Sequence, residues 1–528
     1  MGNALESADR GAARLDAEAE GDSGERKSAA TLLVEMASEL YSFGVSTDGE
    51  TYAIPKTGAR IVLTLRGSRS SLRAQLARAY FNKTGRAAST QALTDALLIV
   101  EGLAQETVPA ELHLRVAEHE GALWLDLGDA AGAVVRIDSD GWTIHSESPV
   151  LFKRTALTGA LPRPQCGGRI DLLWPLLNVA DADKPMVIAW LIAALFPTIA
   201  HPVLALFGEQ GTGKSTAEKM IVQVLDPSPA SLRKPPRDAE TWVVAVAGSW
   251  IVGLDNLSDI SHWLSDSICR AVTGEGDVRR KLYSDGDLAV FRFRRCIALN
   301  GIDVGALRGD LSERLLPITL NTISEEVRQL DTMIWPSFDK AHAGVLGAIL
   351  DLAAGVAGLL PTIHLASKPR MADFAMVVAA VDKILGTDGL RVYMAKQNTL
   401  AVDSLGGDRF MAQMQVVIAD RFEGTGAALL ASVGPNETND RNWPADGRQV
   451  TQRLRRHAPS LRKAGWIVTD DGGANHNKTI AWSITPPPRP KQAGSEDPQH
   501  PHNTQPAGNA GMEHGQDRGS SDERTVRL

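Results

Sequence analysis

A glycine-rich segment near the middle of the chain carries residue types that bind phosphate. It runs Gly208-Glu-Gln-Gly-Thr-Gly-Lys-Ser215, between an apolar run and a helical pattern. In such a loop glycines turn backbone N–H groups toward a phosphate, a lysine reaches the β and γ phosphates, and a hydroxyl ligates Mg²⁺. The spacing predicts a P-loop for ATP and Mg²⁺; the alternative is a chance glycine turn. The predicted nucleotide ligands are Gly208, Glu209, Gln210, Gly211, Thr212, Gly213, Lys214, Ser215 (also a magnesium ligand) and Thr216.

A second apolar run, residues 249–254, ends in Asp255. A P-loop requires an acidic residue on a neighbouring strand, so Asp255 is predicted to hold Mg²⁺ through water. The alternative is an aspartate that merely ends a strand. Asn256 follows where many such ATPases carry a second carboxylate, and an amide cannot act as a general base. The base is therefore unassigned, with Glu209 and Asp259 as candidates.

Two further polar residues adjoin apolar runs and complete a predicted catalytic set with Lys214 and Asp255. Asn300 ends the run 296–300 and is predicted to position the attacking water, with a strand-ending turn residue as the alternative. Arg314 precedes the run 315–320 and is predicted to act as an arginine finger on a neighbouring subunit. The alternative for Arg314 is a structural ion pair with a nearby acidic residue, Asp310 or Glu313.

Two clusters of basic residues are candidates for DNA contacts. The first lies on a predicted hairpin between residues 274 and 295, where a basic tip would grip strand phosphates. The second is a helical pattern over residues 448–463 that contains no acidic residue. In both places the alternative is a solvated charged surface. The predicted DNA contacts are Arg279, Arg280, Lys281, Arg453, Arg455 and Arg456.

The composition limits the classes of protein that fit. With 528 residues, 43% hydrophobic and 22% charged, the chain is predicted to be globular, with about three domains plus tails. A net charge of -8 means that any nucleic-acid contact is local. Three cysteines without a C-x-x-C pair exclude a disulfide framework and a thiolate zinc site, and favour the cytoplasm. The apolar stretch 185–207 is interrupted by prolines, so it is interpreted as a buried helix over 186–196 and a strand, with no membrane contact.

The patterns divide the chain into seven segments. The predicted fold is α/β: a P-loop core with a parallel sheet, preceded by a small α+β module and followed by a helical region and a winged-helix-like domain. The predicted segments are a disordered tail (1–28), a helical N-terminal region (29–110), a small β-rich module (111–169), the P-loop ATPase core (170–325), a helical region (326–395), the winged-helix-like DNA-binding domain (396–485) and a second disordered tail (486–528).

With these motifs in order, residues 65 to 485 resemble the ATPase half of phage, plasmid and poxvirus-type primase-helicases, in helicase superfamily three and the wider AAA+ class. The residues that carry the resemblance are Lys214, Asp255, Arg279 to Lys281, Asn300 and Arg314. The segments 115–129 and 140–142 are similar to the module that precedes the motor in mobile-element members. The resemblance implies an AAA+ type core, ATP and Mg²⁺ as cofactors, and a homo-hexameric ring that moves on single-stranded or forked DNA.

The chain departs from that pattern in two respects. Asn256 replaces the usual second acidic residue, which puts the hydrolysis rate in question. The segment before residue 65 is too short for a primase domain, so priming is expected from a separate polypeptide. We therefore expect a cytoplasmic DNA-dependent ATPase, a helicase-type motor in replication of a phage, plasmid or integrated mobile element. The alternatives are a nucleotide-switched replication initiator or loader with slow hydrolysis, and a small-molecule kinase or unrelated P-loop NTPase.

Overall fold

A computed structural model describes most of the chain between residues 27 and 488. The described ranges are 27–67, 71–257, 260–275, 277–280, 288–291, 293–301, 309–436, 440, 442–473 and 479–488. For 277–280 and 288–291 only the backbone is described. The elements below lie in one compact unit that ends at Pro486. Nearly all of the two predicted tails, Asp259 and Lys281 fall outside the described residues.

The N-terminal region combines three helices with a small antiparallel sheet. Ser28 caps the first helix by accepting a hydrogen bond from the Thr31 N–H, and Ser89 caps the third in the same way. Sequence patterns predicted only helices over 29–110, because two five-residue strands and one two-residue strand give too few alternations to detect. The elements are α1 (Ala29–Leu40), β1 (Tyr41–Val45), β2 (Thr51–Pro55), β3 (Leu63–Thr64), α2 (Leu72–Thr84) and α3 (Thr90–Gln105).

The next region is β-rich. Four antiparallel strands pair in the order β5-β6-β7-β8, and the short strands β4 and β9 pair in parallel beside them. Every residue of β6 is buried, so this strand forms the middle of the region. The strands are β4 (Leu112–His113), β5 (Val116–His119), β6 (Ala122–Asp126), β7 (Val134–Asp138), β8 (Gly141–His145) and β9 (Leu151–Phe152).

The centre of the chain is a five-stranded parallel sheet with the order β11-β12-β15-β10-β16, which confirms the predicted parallel α/β core. Its central strands are buried except at Phe207, the partly exposed last residue of β10, as expected for a parallel sheet covered by helices on both faces. The elements are α4 (Lys184–Ala193), β10 (Val203–Phe207), α5 (Lys214–Leu225), β11 (Leu232–Arg233), α6 (Ala239–Ala247), β12 (Ile251–Leu254), α7 (His262–Thr273), β13 (Asp277–Arg280), β14 (Leu288–Phe291), β15 (Cys296–Asn300), α8 (Gly309–Ser312) and β16 (Leu315–Thr319).

A helical layer follows the sheet: α9 (Asp331–Leu359), α10 (Ala372–Leu385) and α11 (Gly389–Gly406). The stretch 331–362 is long and apolar enough to cross a membrane by length and composition, and 56% of its apolar window is buried inside the protein. The buried side chains of α9 and α10 belong to the same hydrophobic core as α4. This packing is that of a core helix.

The last region has a separate core. Its elements are α12 (Arg409–Val417), β17 (Phe422–Thr425), α13 (Gly426–Val433), α14 (Gly447–Lys463), β18 (Ile467–Asp470) and β19 (Ala481–Thr485), with an antiparallel sheet in the order β17-β19-β18. The predicted boundary between residues 395 and 396 is wrong, because it falls inside α11. That helix continues from the main core, where Tyr393 packs, into the C-terminal core, where Leu405 packs.

A buried ion pair joins the β-rich region to the central sheet. Arg115 Nε lies 2.8 Å from Asp226 Oδ1, and the two side chains are 0% and 5% exposed. The other oxygen of Asp226 accepts hydrogen bonds from the backbone N–H groups of Trp250 and Ile251, each at 2.9 Å. Arg115 also donates to the carbonyl oxygens of Asp126 and Gly159. The buried guanidinium of Arg115 and the carboxylate of Asp226 are therefore paired with each other and hydrogen-bonded to backbone groups.

We expect Asp226→Ala to destabilise the fold by about 3–5 kcal/mol, because it leaves a buried guanidinium without its carboxylate. The measurement is the free energy of unfolding in urea. Asp171→Ala is the matched control, because it breaks an ion pair with Arg169 in which both side chains are at least half exposed, and it should leave stability unchanged. Equal effects of the two substitutions would contradict the assignment.

Candidate nucleotide site and basic helix

The carboxyl ends of three adjacent strands bring the predicted P-loop, Asp255 and Asn300 together. β15 lies between β12 and β10, with Leu299 opposite Leu254 and Asn300 opposite Leu206. Residues that directly follow these strands therefore meet at one edge of the sheet. The Ser215 hydroxyl donates to Asp255 Oδ1 at 2.7 Å, which joins the first residues of α5 to the end of β12.

The loop between β10 and α5 has the backbone that its glycines allow. Gly211 and Gly213 take φ values of +86° and +75°, in the left-handed region that favours glycine. A Cβ atom at Gly208 would lie 2.8 Å from Thr212 Oγ1. Lys214 Nζ donates to the carbonyl oxygens of Gly208 and Glu209 at 2.8 and 2.7 Å. The lysine thus folds over the loop, with its ammonium group at the N-terminal end of α5.

The oxygen ligands present fit Mg²⁺ held together with phosphates. Ser215 Oγ and Asp255 Oδ1 are hard oxygen donors 2.7 Å apart. Within the described residues no group of three or more His, Cys, Asp or Glu could hold a metal by itself. Mg²⁺ is commonly bound by one or two protein ligands plus substrate phosphates and water. The donor set therefore suits a nucleotide-bound Mg²⁺.

Asn300 is the centre of a buried network and is 3% exposed. Its Nδ2 group donates to Asp255 Oδ1 at 2.8 Å and to a carboxyl oxygen of Glu218, while its Oδ1 accepts the Asn256 N–H at 3.1 Å. An amide nitrogen has two hydrogens, and here both have protein partners. In this structure Asn300 thus holds Asp255 in place and has no N–H left to offer to the predicted attacking water.

The residue after Asp255 has an unusual backbone. Asn256 has a φ of +57°, a conformation that asparagine tolerates better than most residues. The turn packs closely, because a Cβ atom at Gly301 would lie 2.9 Å from the Asn256 Cα atom. These contacts give Asn256 a structural role. Of the two candidate general bases, Glu209 has an exposed side chain, and Asp259 lies outside the described residues.

Glu218 is a site residue that sequence reasoning missed. It lies one turn after Lys214 on α5, is 0% exposed, and bonds Asn300. Burial raises the pKa of its carboxyl to about 8, although the hydrogen bond from Asn300 and the nearby Leu254 backbone lower it. The carboxyl is therefore neutral near pH 7. Gly253 was a signal for this contact in the sequence, because a glycine inside a strand often marks the close approach of another group. A Cβ atom at Gly253 would lie 3.1 Å from Glu218 Oε1.

The structure favours the alternative role for Arg314, an ion pair with Asp310 in which the arginine is buried and the aspartate is exposed. Its side chain is 7% exposed and lies 2.6 Å from Asp310 Oδ1 in the same chain. It also donates to the Asp310 carbonyl oxygen at 2.9 Å. An arginine finger has to reach out to a second subunit, and this guanidinium is enclosed within its own. The expectation of a finger at Arg314 is therefore not supported by its position.

Arg453 is paired within the chain, which favours a structural role over the predicted DNA contact. Its guanidinium lies 3.1 Å from Asp408, above the Phe410 ring, with 18% of the side chain exposed. In contrast, Arg455 and Arg456 are exposed on α14, and Arg455 has only a 4.0 Å contact with Asp470.

The exposed face of α14 also presents residues that were not singled out from the sequence. Arg448 and Gln452 lie on the same face as Arg455 by helical spacing, and both are exposed. At the end of the helix, Lys463 lies 3.4 Å from Glu313 of the central region. In the other predicted DNA-contact segment, β13 and β14 pair as antiparallel strands. The Arg279 and Arg280 side chains and Lys281 are not described.

Comparison with known proteins gives a consistent family. The model for the actinomycete integrative conjugative element replication protein matches residues 170–403, and the model for the RepA C-terminal domain of such elements matches residues 409–497. Together they cover more than half of the chain. No curated protein matches the sequence.

Several solved structures show a distant likeness. One, "SCCmec type IV Cch - active helicase", is 13% identical with a TM-score of 0.40, and the match covers 84% of this chain and 93% of that one. The apo C-terminal region of NrS-1 is 14% identical with a TM-score of 0.38, covering 87% and 100%. At these scores the likeness does not establish a shared activity.

We expect Glu218→Gln to stabilise the nucleotide-free protein, and more so at higher pH. Between the ordinary carboxyl pKa and about 8, the unfolded chain has lost the proton that folded Glu218 keeps, so wild-type stability falls as pH rises. The amide keeps the shape and removes this loss. Melting temperatures at pH 5 and pH 8, without Mg²⁺, should diverge between wild type and variant. The exposed Glu240→Gln is the control, and parallel pH profiles for all three proteins would contradict the buried neutral acid.

Proposed function

Because the chain is a replication protein of a mobile element, we propose that it is an ATP-dependent DNA motor of the helicase type. The observation that carries the proposal is the contact between Ser215 of the P-loop and Asp255, with Asn300 bonded to the same carboxylate oxygen. These are the groups that a nucleotide-bound magnesium site requires, at the edge of a parallel sheet where ligands bind.

In this proposal each residue has a defined task. The P-loop backbone and Lys214 bind the phosphates, and Ser215 and Asp255 hold Mg²⁺, which neutralises charge on the phosphates. Asn300 fixes Asp255 at the sheet edge. The exposed arginines of α14 bind DNA phosphates, and the β13–β14 pair is a second DNA contact. The hexameric ring and the separate primase stay predictions.

A second function is favoured by Asn256. This residue provides an amide in a left-handed turn at the position after Asp255, so no carboxylate is available there to activate water. A nucleotide-switched replication initiator or loader with slow hydrolysis would use the same site to bind ATP. Strand displacement on a forked substrate separates the two, because a motor unwinds the fork and a switch does not.

The central test is steady-state ATP hydrolysis with and without single-stranded DNA, at low and moderate salt. We expect several-fold stimulation by DNA that decreases as salt rises, because phosphate contacts release counterions. Lys214→Ala should abolish hydrolysis in all conditions, with Lys219→Ala, a lysine on the same helix that lies over the Trp335 ring, as the control. Hydrolysis by Lys214→Ala at the wild-type rate would contradict the proposal. Tight ATP binding with negligible turnover would favour the switch.

The basic helix gives a separate prediction. Replacing Arg455 and Arg456 together with alanine should weaken DNA binding and lower the slope of log affinity against log salt by roughly two, about one for each lost phosphate contact. Arg453→Ala is the matched control, since it removes the same charge from the same helix but from a side chain already paired with Asp408. It should lower the melting temperature and leave the slope unchanged. Fluorescence anisotropy with labelled DNA at several salt concentrations measures the affinity and its salt slope, and a thermal unfolding curve measures the melting temperature.

A further inference from the structure

The segment that follows β16 runs along the outside of the P-loop. The Leu320 N–H donates to the carbonyl oxygen of Phe207 at 2.8 Å, which continues the pairing of β16 with β10. Farther along, Ile323 Cδ1 lies 3.5 Å from the position that a Cβ atom on Gly213 would take. The segment 320–328, which we call the strap, thus contacts the loop on the side away from β15.

Asn178 ties the strap to the loop. Its carbonyl oxygen accepts the Asn321 N–H at 2.9 Å, and its side-chain amide donates to the Asn321 carbonyl oxygen. The same amide lies 3.5 Å from the Thr212 carbonyl oxygen in the P-loop. The position of the strap is therefore set by hydrogen bonds at its start.

Arg328 lies at the end of the strap and directs its guanidinium at the P-loop. Its Nη2 atom is 3.3 Å from the position that a Cβ atom on Gly211 would take. The residue is exposed. Within the described part of the chain its guanidinium has no hydrogen bond or ion pair, not even with the neighbouring Glu325 and Glu326. A cation is thus placed against the phosphate-binding loop without a carboxylate to neutralise it.

We propose that Arg328 binds the phosphates of the nucleotide held by the P-loop of its own subunit. This inference rests on the proposed nucleotide site. A guanidinium presents several N–H donors in a planar fork that matches phosphate oxygens, and its attraction adds to that of Lys214 and the loop N–H groups. Since Arg328 is exposed and unpaired, it can turn toward a phosphate without breaking an existing ion pair.

Two alternatives are less compatible with the contacts. Arg314 would first have to leave Asp310, which would cost a buried guanidinium its carboxylate partner. A contact of Arg328 with the base or ribose would need those groups beside Gly211, whereas the loop glycines present their N–H groups to phosphate. Phosphate is therefore the ligand chemistry that the position favours.

The test compares ATP with inorganic tripolyphosphate, which has the phosphates but no base or ribose. Both compete with a fluorescent ATP analogue for the full-length protein in Mg²⁺, so the measured quantity is an affinity. We expect Arg328→Ala to weaken both ligands by about tenfold, the loss of one charge-assisted contact. Arg328→Lys should recover part of the loss because it restores the charge.

Arg421→Ala is the matched control, because it removes an exposed arginine from the C-terminal region, and it should change both affinities by less than about twofold. Unchanged tripolyphosphate binding by Arg328→Ala, with or without weaker ATP binding, would overturn the inference while Lys214→Ala still abolishes binding. If the wild-type protein binds neither ligand, or Lys214→Ala binds both normally, the nucleotide site itself fails, and this inference with it.

Discussion

The carboxylate of Asp226 fixes the strand on which the candidate site depends. It accepts the backbone N–H groups of Trp250 and Ile251, where β12 begins, and it pairs with the buried Arg115. Because β12 has only four residues, the contacts at its start also determine where its end, and therefore Asp255, lies. The β-rich region is thus attached to the central sheet by a compensated charge as well as by apolar packing.

Burial divides the arginines of this chain by role. Arg314 and Arg453 have carboxylate partners and little exposure, so phosphate binding by either would first require a pair to break. Arg328 and Arg455 are exposed, the first beside the P-loop and the second on α14. From the sequence, phosphate contacts were predicted for Arg314 and Arg453, and Arg328 was not singled out. The position of a basic residue near a motif gives no information about which acidic residue the fold brings to it.

Local sequence patterns were sufficient to predict the site where its residues are neighbours in the chain. The strand, glycine loop and helix around Lys214 follow from neighbouring residues, and the parallel sheet follows from alternating buried runs. The small sheet β1-β2-β3 was missed because its strands are short. Glu218 was missed for a different reason: its neutral state depends on burial in the folded chain, and its partner Asn300 lies 82 residues later. The pairing of Arg453 with Asp408 likewise joins residues 45 positions apart. Contacts of this kind are products of the fold, so no local pattern contains them.

The hydrogen bonds of the Asn300 amide limit how a ligand can bind at this edge of the sheet. Since both hydrogens of its amide are committed, a ligand that accepts from it has to displace either Asp255 or Glu218. Displacing Glu218 would leave a fully buried acid without its donor, whereas Asp255 keeps the Ser215 hydroxyl as a partner. Exchange at Asp255 therefore costs less. A ligand that accepts a hydrogen bond from Asn300 would thus take the place of Asp255, and the carboxylate would be left to the Ser215 hydroxyl.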